Sequence, residues 1–127
     1  MSKVFIINRG GHDYSPAEKF GELVSLSTGS VDIFKLGRLF LQFNKTLKDY
    51  TDEDYLLPCS LGALNILAGW IVGRKGKKLN LLLYNRDRYY VERNLNYAEV
   101  DHELPEEKEV STLVQDDTVL GTNTQGS

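Results

Sequence analysis

Apolar residues fall along this chain in short continuous runs separated by stretches of helical spacing, and that alternation predicts an α/β domain. Residues 4–7 form a run of the kind found in strands covered on both faces. Gly10 and Gly11 then offer a backbone free to turn, and Ser15, Pro16 and Glu18 occupy the N-cap, N1 and N3 positions of a capping box that predicts a short helix over 16–22. Residues 23–28 alternate enough for a second strand, with a turn at Thr28-Gly-Ser30. Over 31–50, Ile33, Leu36, Phe40, Phe43 and Leu47 recur at helical spacing while Lys35, Arg38, Gln42 and Lys45 can face water.

A third strand is expected over 55–59, ended by Pro58, with Ser60 as the N-cap of a helix over 61–74. Arg74, Lys75 and Gly76 supply the cations and glycine that suit a helix C-terminus. A strand over 78–84, a hairpin connection at 85–88 and a last strand over 89–95 complete the order β-α-β-α-β-α-β-β. The expected fold is a small Rossmann-like three-layer domain, with a mostly parallel sheet and a C-terminal antiparallel hairpin.

Length and charge refine this picture. The 127 residues suit one modest domain, and 41% hydrophobic content is ordinary for a globular chain. The net charge of −3 hides a division: residues 1–97 hold 14 Lys/Arg against 10 Asp/Glu, a net +4, whereas 98–127 hold one lysine, Lys108, against eight acids, a net −7. We therefore expect an α/β domain over 1–97 and an acidic, flexible tail over 98–127. The single cysteine, Cys59, excludes an intramolecular disulfide framework. With no basic-then-apolar leader after Met1, the expected location is cytoplasmic. The apolar segment 61–72 is too short to span a bilayer and reads as a buried core helix, so no membrane partner is expected.

In an open parallel sheet, the loops after successive strands gather at the carboxyl edge, where ligands favour the crevice. The candidate ligand-binding residues are therefore Asn8, Arg9, Gly10, Gly11, His12 and Asp13 after the first strand, Thr28 and Ser30 after the second, and Ser60 and Gly62 after the third. The helix start after Ser60 would direct free N–H groups and a positive dipole end there, which suits an anionic small molecule. A tight turn at Gly10-Gly11 and local hydrogen bonding by His12-Asp13 explain the same residues without a ligand. Arg9-Gly-Gly-His matches neither a dinucleotide fingerprint nor a phosphate-binding loop.

His12 could serve as a general acid or base with Asp13 or another carboxylate orienting it, although adjacent residues rarely face the same substrate. His102, the second histidine, lies in the acidic segment, and neither histidine nor Cys59 shows a ligand spacing, so no metal and no cofactor are expected. Cys59 precedes a helix N-terminus, where a thiol pKa can fall, but it reads as a small buried core residue rather than a nucleophile. Arg74, Lys75, Lys77 and Lys78, then Arg86, Arg88 and Arg93, are interleaved with Tyr84, Tyr89 and Tyr90. The two cationic groups fall at opposite ends of a strand, so they read as a solvated face rather than a nucleic-acid groove, in keeping with an isoelectric point near 5.4.

The segments Asn8-Arg-Gly-Gly-His-Asp-Tyr-Ser15, Phe20-Gly-Glu-Leu-Val24 and Asp54-Tyr-Leu-Leu-Pro-Cys-Ser60 resemble those of small uncharacterised proteins encoded by tailed bacteriophages. The likeness covers roughly the first 95 residues and implies a phage accessory or virion protein, with no activity carried over to particular residues. Three functions are consistent with the sequence. The first is binding of a nucleotide or other phosphorylated small molecule at the sheet edge, without turnover. The second is a virion structural or assembly role, in which the tail reaches another subunit of a homo-oligomer or virion. The third is nucleotide processing by an enzyme using His12.

Overall fold

The computed structural model describes residues 2–87 and 89–95. Five strands form one sheet: β1 (Lys3–Ile6), β2 (Glu22–Ser25), β3 (Tyr55–Leu57), β4 (Leu79–Asn85) and β5 (Tyr89–Leu95). Their spatial order is β2-β1-β3-β4-β5, parallel throughout except for the antiparallel β4–β5 pair. The expected α/β architecture with its closing hairpin is therefore present. The acidic segment and its boundary near Tyr97 lie outside the described residues.

Alternation along the strands divides the core in two. Phe5, Ile7 and Leu56 point to one face, where they pack with Leu39, Phe43 and Leu47 of α1 (Leu36–Leu47) and with Leu64, Ala68 and Ile71 of α2 (Gly62–Arg74). Val4, Ile6, Leu57 and Leu82 point to the other, against Tyr14, Ala17 and Tyr90. That second face is thinly covered, because the third layer is a 3-10 helix of six residues, Ser15–Phe20.

The expected capping box does not form. Tyr14 occupies the N-cap position with no side-chain cap, and Asp13 instead accepts the Ser15 N–H at 3.0 Å. The chain then has to enter β2 at once. Gly21 sits so close to the start of β1 that a Cβ there would overlap the Ser2 carbonyl, and its φ of 156° is one that side chains rarely adopt. Gly10 and Gly11 are not among the positive-φ glycines, so the turn after β1 does not depend on their conformational freedom.

Strands β2 and β3 end earlier than expected, at Ser25 and Leu57, and the starts of both α-helices also differ from the sequence expectation. Helix α1 begins at Leu36 rather than near 31, because Asp32 accepts the Phe34 N–H at 3.0 Å and holds a turn there. Leu61, not Ser60, is the N-cap of α2. The C-terminus of α2 agrees with expectation: Gly76 has φ 69°, and Lys75 and Lys77 donate N–H groups to the Val72 carbonyl.

A polar cluster locks the amino ends of the central strands. The buried Asp54 carboxylate accepts the Lys3 N–H at 2.8 Å and the Thr51 N–H at 2.7 Å. Asn80, also buried, donates to the Asp52 and Asp54 carbonyls at 2.8 Å each and accepts from Asn94 at 2.8 Å. The Tyr50 hydroxyl lies 2.8 Å from the Lys78 carbonyl, and burial pushes its pKa up to about 12. Among the described residues, every buried side-chain nitrogen or oxygen has a hydrogen-bond partner.

Candidate functional site

A sheet ordered 2-1-3-4-5 has its topological switch point between β1 and β3, since the chain leaves these neighbours in opposite directions. A cleft of about 570 Å³ lies at the carboxyl ends of the parallel strands on the side of the 3-10 helix. The loop after β1 contributes His12, Asp13 and Tyr14, and the 3-10 helix adds Pro16. The segment from the end of β3 contributes Leu57, Pro58, Cys59 and Ser60, and the hairpin contributes Leu82, Leu83, Tyr84 and Tyr90.

Tyrosines form the walls. Register pairs Tyr84 with Tyr90 across β4 and β5, and their rings meet edge to face with centroids 5.2 Å apart. Tyr90 is buried, whereas Tyr84 is 58% exposed. Tyr14, also buried, accepts the Gly10 N–H at 3.0 Å, and the Arg9 guanidinium lies 5.2 Å from its ring centroid. The His12 ring meets the Tyr14 edge at 5.9 Å. Aromatic faces, prolines and leucines thus surround a few polar groups: the His12 imidazole, the Asp13 carboxylate and the Ser60 hydroxyl.

The electrostatics of the cleft follow from these neighbours. The Ser15 backbone N–H, then its hydroxyl, holds the exposed Asp13 carboxyl below the usual carboxylate range. Burial, followed by the proximity of Tyr14, Tyr84 and Asp13, raises the Tyr90 phenol. Both groups therefore keep one protonation state around neutral pH, Asp13 charged and Tyr90 neutral. Among the described residues, those lining the cleft include neither Lys nor Arg.

On the β3 side, Asn65 holds the wall in place. Its carboxamide accepts the Cys59 N–H at 3.0 Å and donates to the Cys59 carbonyl at 2.8 Å, tying the post-β3 loop to the second turn of α2. The Cys59 thiol lies 3.4 Å from the same Asn65 oxygen, so it is a half-buried part of this clamp.

The structure separates the ten candidate residues into groups. His12, Asp13 and Ser60 meet in the cleft; Gly10 and Gly11 lie in the loop that presents the first two. Asn8, Arg9 and Thr28 instead join the β1 and β2 ends. Arg9 bridges to Thr28, its guanidinium donates to Ser25 Oγ at 2.8 Å, and Asn8 donates to the Gly29 carbonyl at 3.0 Å. Ser30 follows that junction on the surface, and Gly62 opens α2 without lining the cleft. Sequence reasoning did not place Tyr14 or Asn65 in the site, and it set Tyr84 and Tyr90 on a solvated face among cations rather than in the cleft. The signal for the tyrosine pair was present, since a turn centred on residue 87 sets positions 84 and 90 opposite each other on one face.

Among the described residues, no group of three or more His, Cys, Asp or Glu side chains could hold a metal ion, and no helix is long and apolar enough to cross a membrane. A family model described as Phage Pam3 gp32-like protein matches residues 2–97, which bears out the likeness to phage proteins. No curated protein and no solved structure matches the chain.

Proposed function

This chain belongs to the phage Pam3 gp32-like protein family, and we propose that it binds a nucleoside or nucleotide in the tyrosine-walled cleft without turning it over. The observation that carries this reading is the set of Tyr14, Tyr84 and Tyr90 around about 570 Å³ of space at the carboxyl edge of a parallel sheet. The exposed Tyr84 ring offers a face on which a planar base can stack, an interaction worth about 1–3 kcal/mol per base. Asp13 accepts hydrogen bonds from base amino groups or sugar hydroxyls, and His12 and Ser60 provide exchangeable donors and acceptors. With one carboxylate and no cation among the described lining residues, the cleft favours the base and sugar, and any phosphate is directed toward the mouth.

Binding without turnover is the reading because, among the described residues, His12 has no second side chain placed to share proton transfer. Its ring meets the edge of Tyr14, while the Asp13 carboxylate is engaged with Ser15. Isothermal titration calorimetry with nucleosides, their monophosphates and inorganic phosphate tests the proposal. Nucleosides and monophosphates should bind with affinities within about tenfold of one another, as expected when stacking dominates, and inorganic phosphate should not bind. Binding of phosphate alone, or of none of these at millimolar concentration, would refute it.

A further inference from the structure

Asp13 is the one carboxylate among the described residues that line the tyrosine-walled cleft, and its neighbours fix how it can act. The Ser15 N–H donates to it at 3.0 Å and the Ser15 hydroxyl also bonds to it, so the side chain is held in place and stays ionised at neutral pH. An ionised carboxylate only accepts, through about four lone-pair sites. The two donors of Ser15 leave room for two more. The carboxylate also lies near the Tyr90 phenol, as do the phenols of Tyr14 and Tyr84, so it stands beside the ring pair that offers the stacking wall.

Resting on the reading that the cleft binds a nucleoside, we propose that Asp13 makes it selective for guanine. Among the four bases of RNA, guanine alone presents two neighbouring donors, N1–H and the N2 amino group. A carboxylate accepts such a pair with both oxygens, as it does the paired N–H groups of arginine. Adenine and cytosine set one amino group beside a ring nitrogen that only accepts, and uracil sets its single N–H between two carbonyls. In each case an acceptor would face the charged carboxylate, which is unfavourable. The guanine carbonyl next to N1–H needs a donor in turn, and the His12 imidazole and the Ser60 hydroxyl line the same cleft. Stacking on the exposed Tyr84 ring adds a preference for the larger purine surface.

A carboxylate also suits the two hydroxyls of a ribose, and the two uses differ in the ligands they discriminate. A base reader separates guanine from its analogues whatever the sugar; a sugar reader separates ribose from deoxyribose whatever the base. Because Asp13 is exposed, each added hydrogen bond is worth about fivefold in affinity, the net value of one bond formed in water, rather than that of a buried charged pair.

Calorimetric titration of the full chain with the monophosphates of guanosine, inosine, adenosine and xanthosine tests the assignment. Guanosine monophosphate should bind about fivefold tighter than inosine monophosphate, which differs only in lacking the N2 amino group, and should lead adenosine monophosphate by at least as much. Asp13→Asn keeps an acceptor for the Ser15 N–H but replaces one carboxylate oxygen with a donor. With circular dichroism unchanged, it should lose the preference for guanosine monophosphate and favour xanthosine monophosphate, in which a carbonyl replaces the N2 amino group. Equal affinities for the guanosine and inosine forms, or a guanine preference retained by Asp13→Asn, would overturn the assignment and leave nucleoside binding standing. So would a loss seen only on passing to 2′-deoxy forms, which would put Asp13 on the sugar. Binding of none of the four would overturn both.

Discussion

Tyr84 and Tyr90 meet edge to face across the β4–β5 pair, 5.2 Å between centroids, but only Tyr90 is buried. The buried ring fixes the floor of the cleft and the exposed ring forms its accessible wall. Packing and recognition are thus divided between two residues of the same type.

That division predicts different outcomes for the two alanine variants. Tyr84→Ala should weaken nucleoside binding about tenfold or more, through loss of a stacking surface, with little effect on the urea midpoint. Tyr90→Ala should cost about 3 kcal/mol of stability, because it removes a buried aromatic ring from the thinly covered face. Calorimetry paired with urea denaturation separates the two effects.

Alkaline stability should depend on Tyr50. Its folded pKa of about 12 exceeds the unfolded value of about 10, so the folded state holds the phenolic proton more tightly. The stability this contributes is fully present below about pH 10 and is lost as pH rises toward about 12. Tyr50→Phe should cost about 1–2 kcal/mol at neutral pH, as the hydroxyl's bond to the Lys78 carbonyl is lost. It should also flatten the decline across that alkaline range. Parallel denaturation profiles for the two proteins would show that another group governs the decline.

Asn65 should matter beyond its size. Replacing it with leucine removes both hydrogen bonds to the Cys59 backbone and leaves a donor and an acceptor to find new partners, at a cost of about 1–3 kcal/mol. Because the thiol is held against the same carboxamide, Asn65→Leu should also speed the reaction of Cys59 with a thiol reagent under native conditions. An unchanged rate would mean that the clamp does not control access to Cys59.

Gly21→Ala should be among the more damaging surface-loop substitutions. The new methyl would meet the Ser2 carbonyl at a backbone conformation that alanine resists, at a cost of about 2 kcal/mol or more. Gly11→Ala, where a Cβ would meet nothing and φ is not positive, should be nearly neutral. Thermal melts of the pair check this contrast.

The elements legible in the sequence were those fixed by local signals. The apolar run at Val4–Ile7, the cations and glycine closing α2, and the hairpin around residue 87 all form as read. Ser15-Pro16-Glu18 misled because a capping box is a local pattern, whereas the close packing of Gly21 on Ser2 is a long-range constraint that leaves room only for a 3-10 turn. Strand order decided the fate of the candidate residues. Because β2 lies on the far side of β1 from β3, Thr28 pairs with Arg9 and stays away from Ser60. The exposed side of α2, with Ile66 and Trp70, was hidden for a related reason: a helix with large apolar residues spread around its axis does not announce which side the rest of the fold covers.

Whether the tyrosine-walled cleft binds a base-bearing ligand is answered by an amide-shift titration of isotopically labelled protein with a nucleoside monophosphate. Saturable shifts should concentrate at His12, Asp13, Ser60, Tyr84 and Tyr90, leave α1 unaffected, and be lost in Tyr84→Ala. Shifts centred on Asn8, Arg9 and Thr28, or no saturable shifts, would contradict such binding.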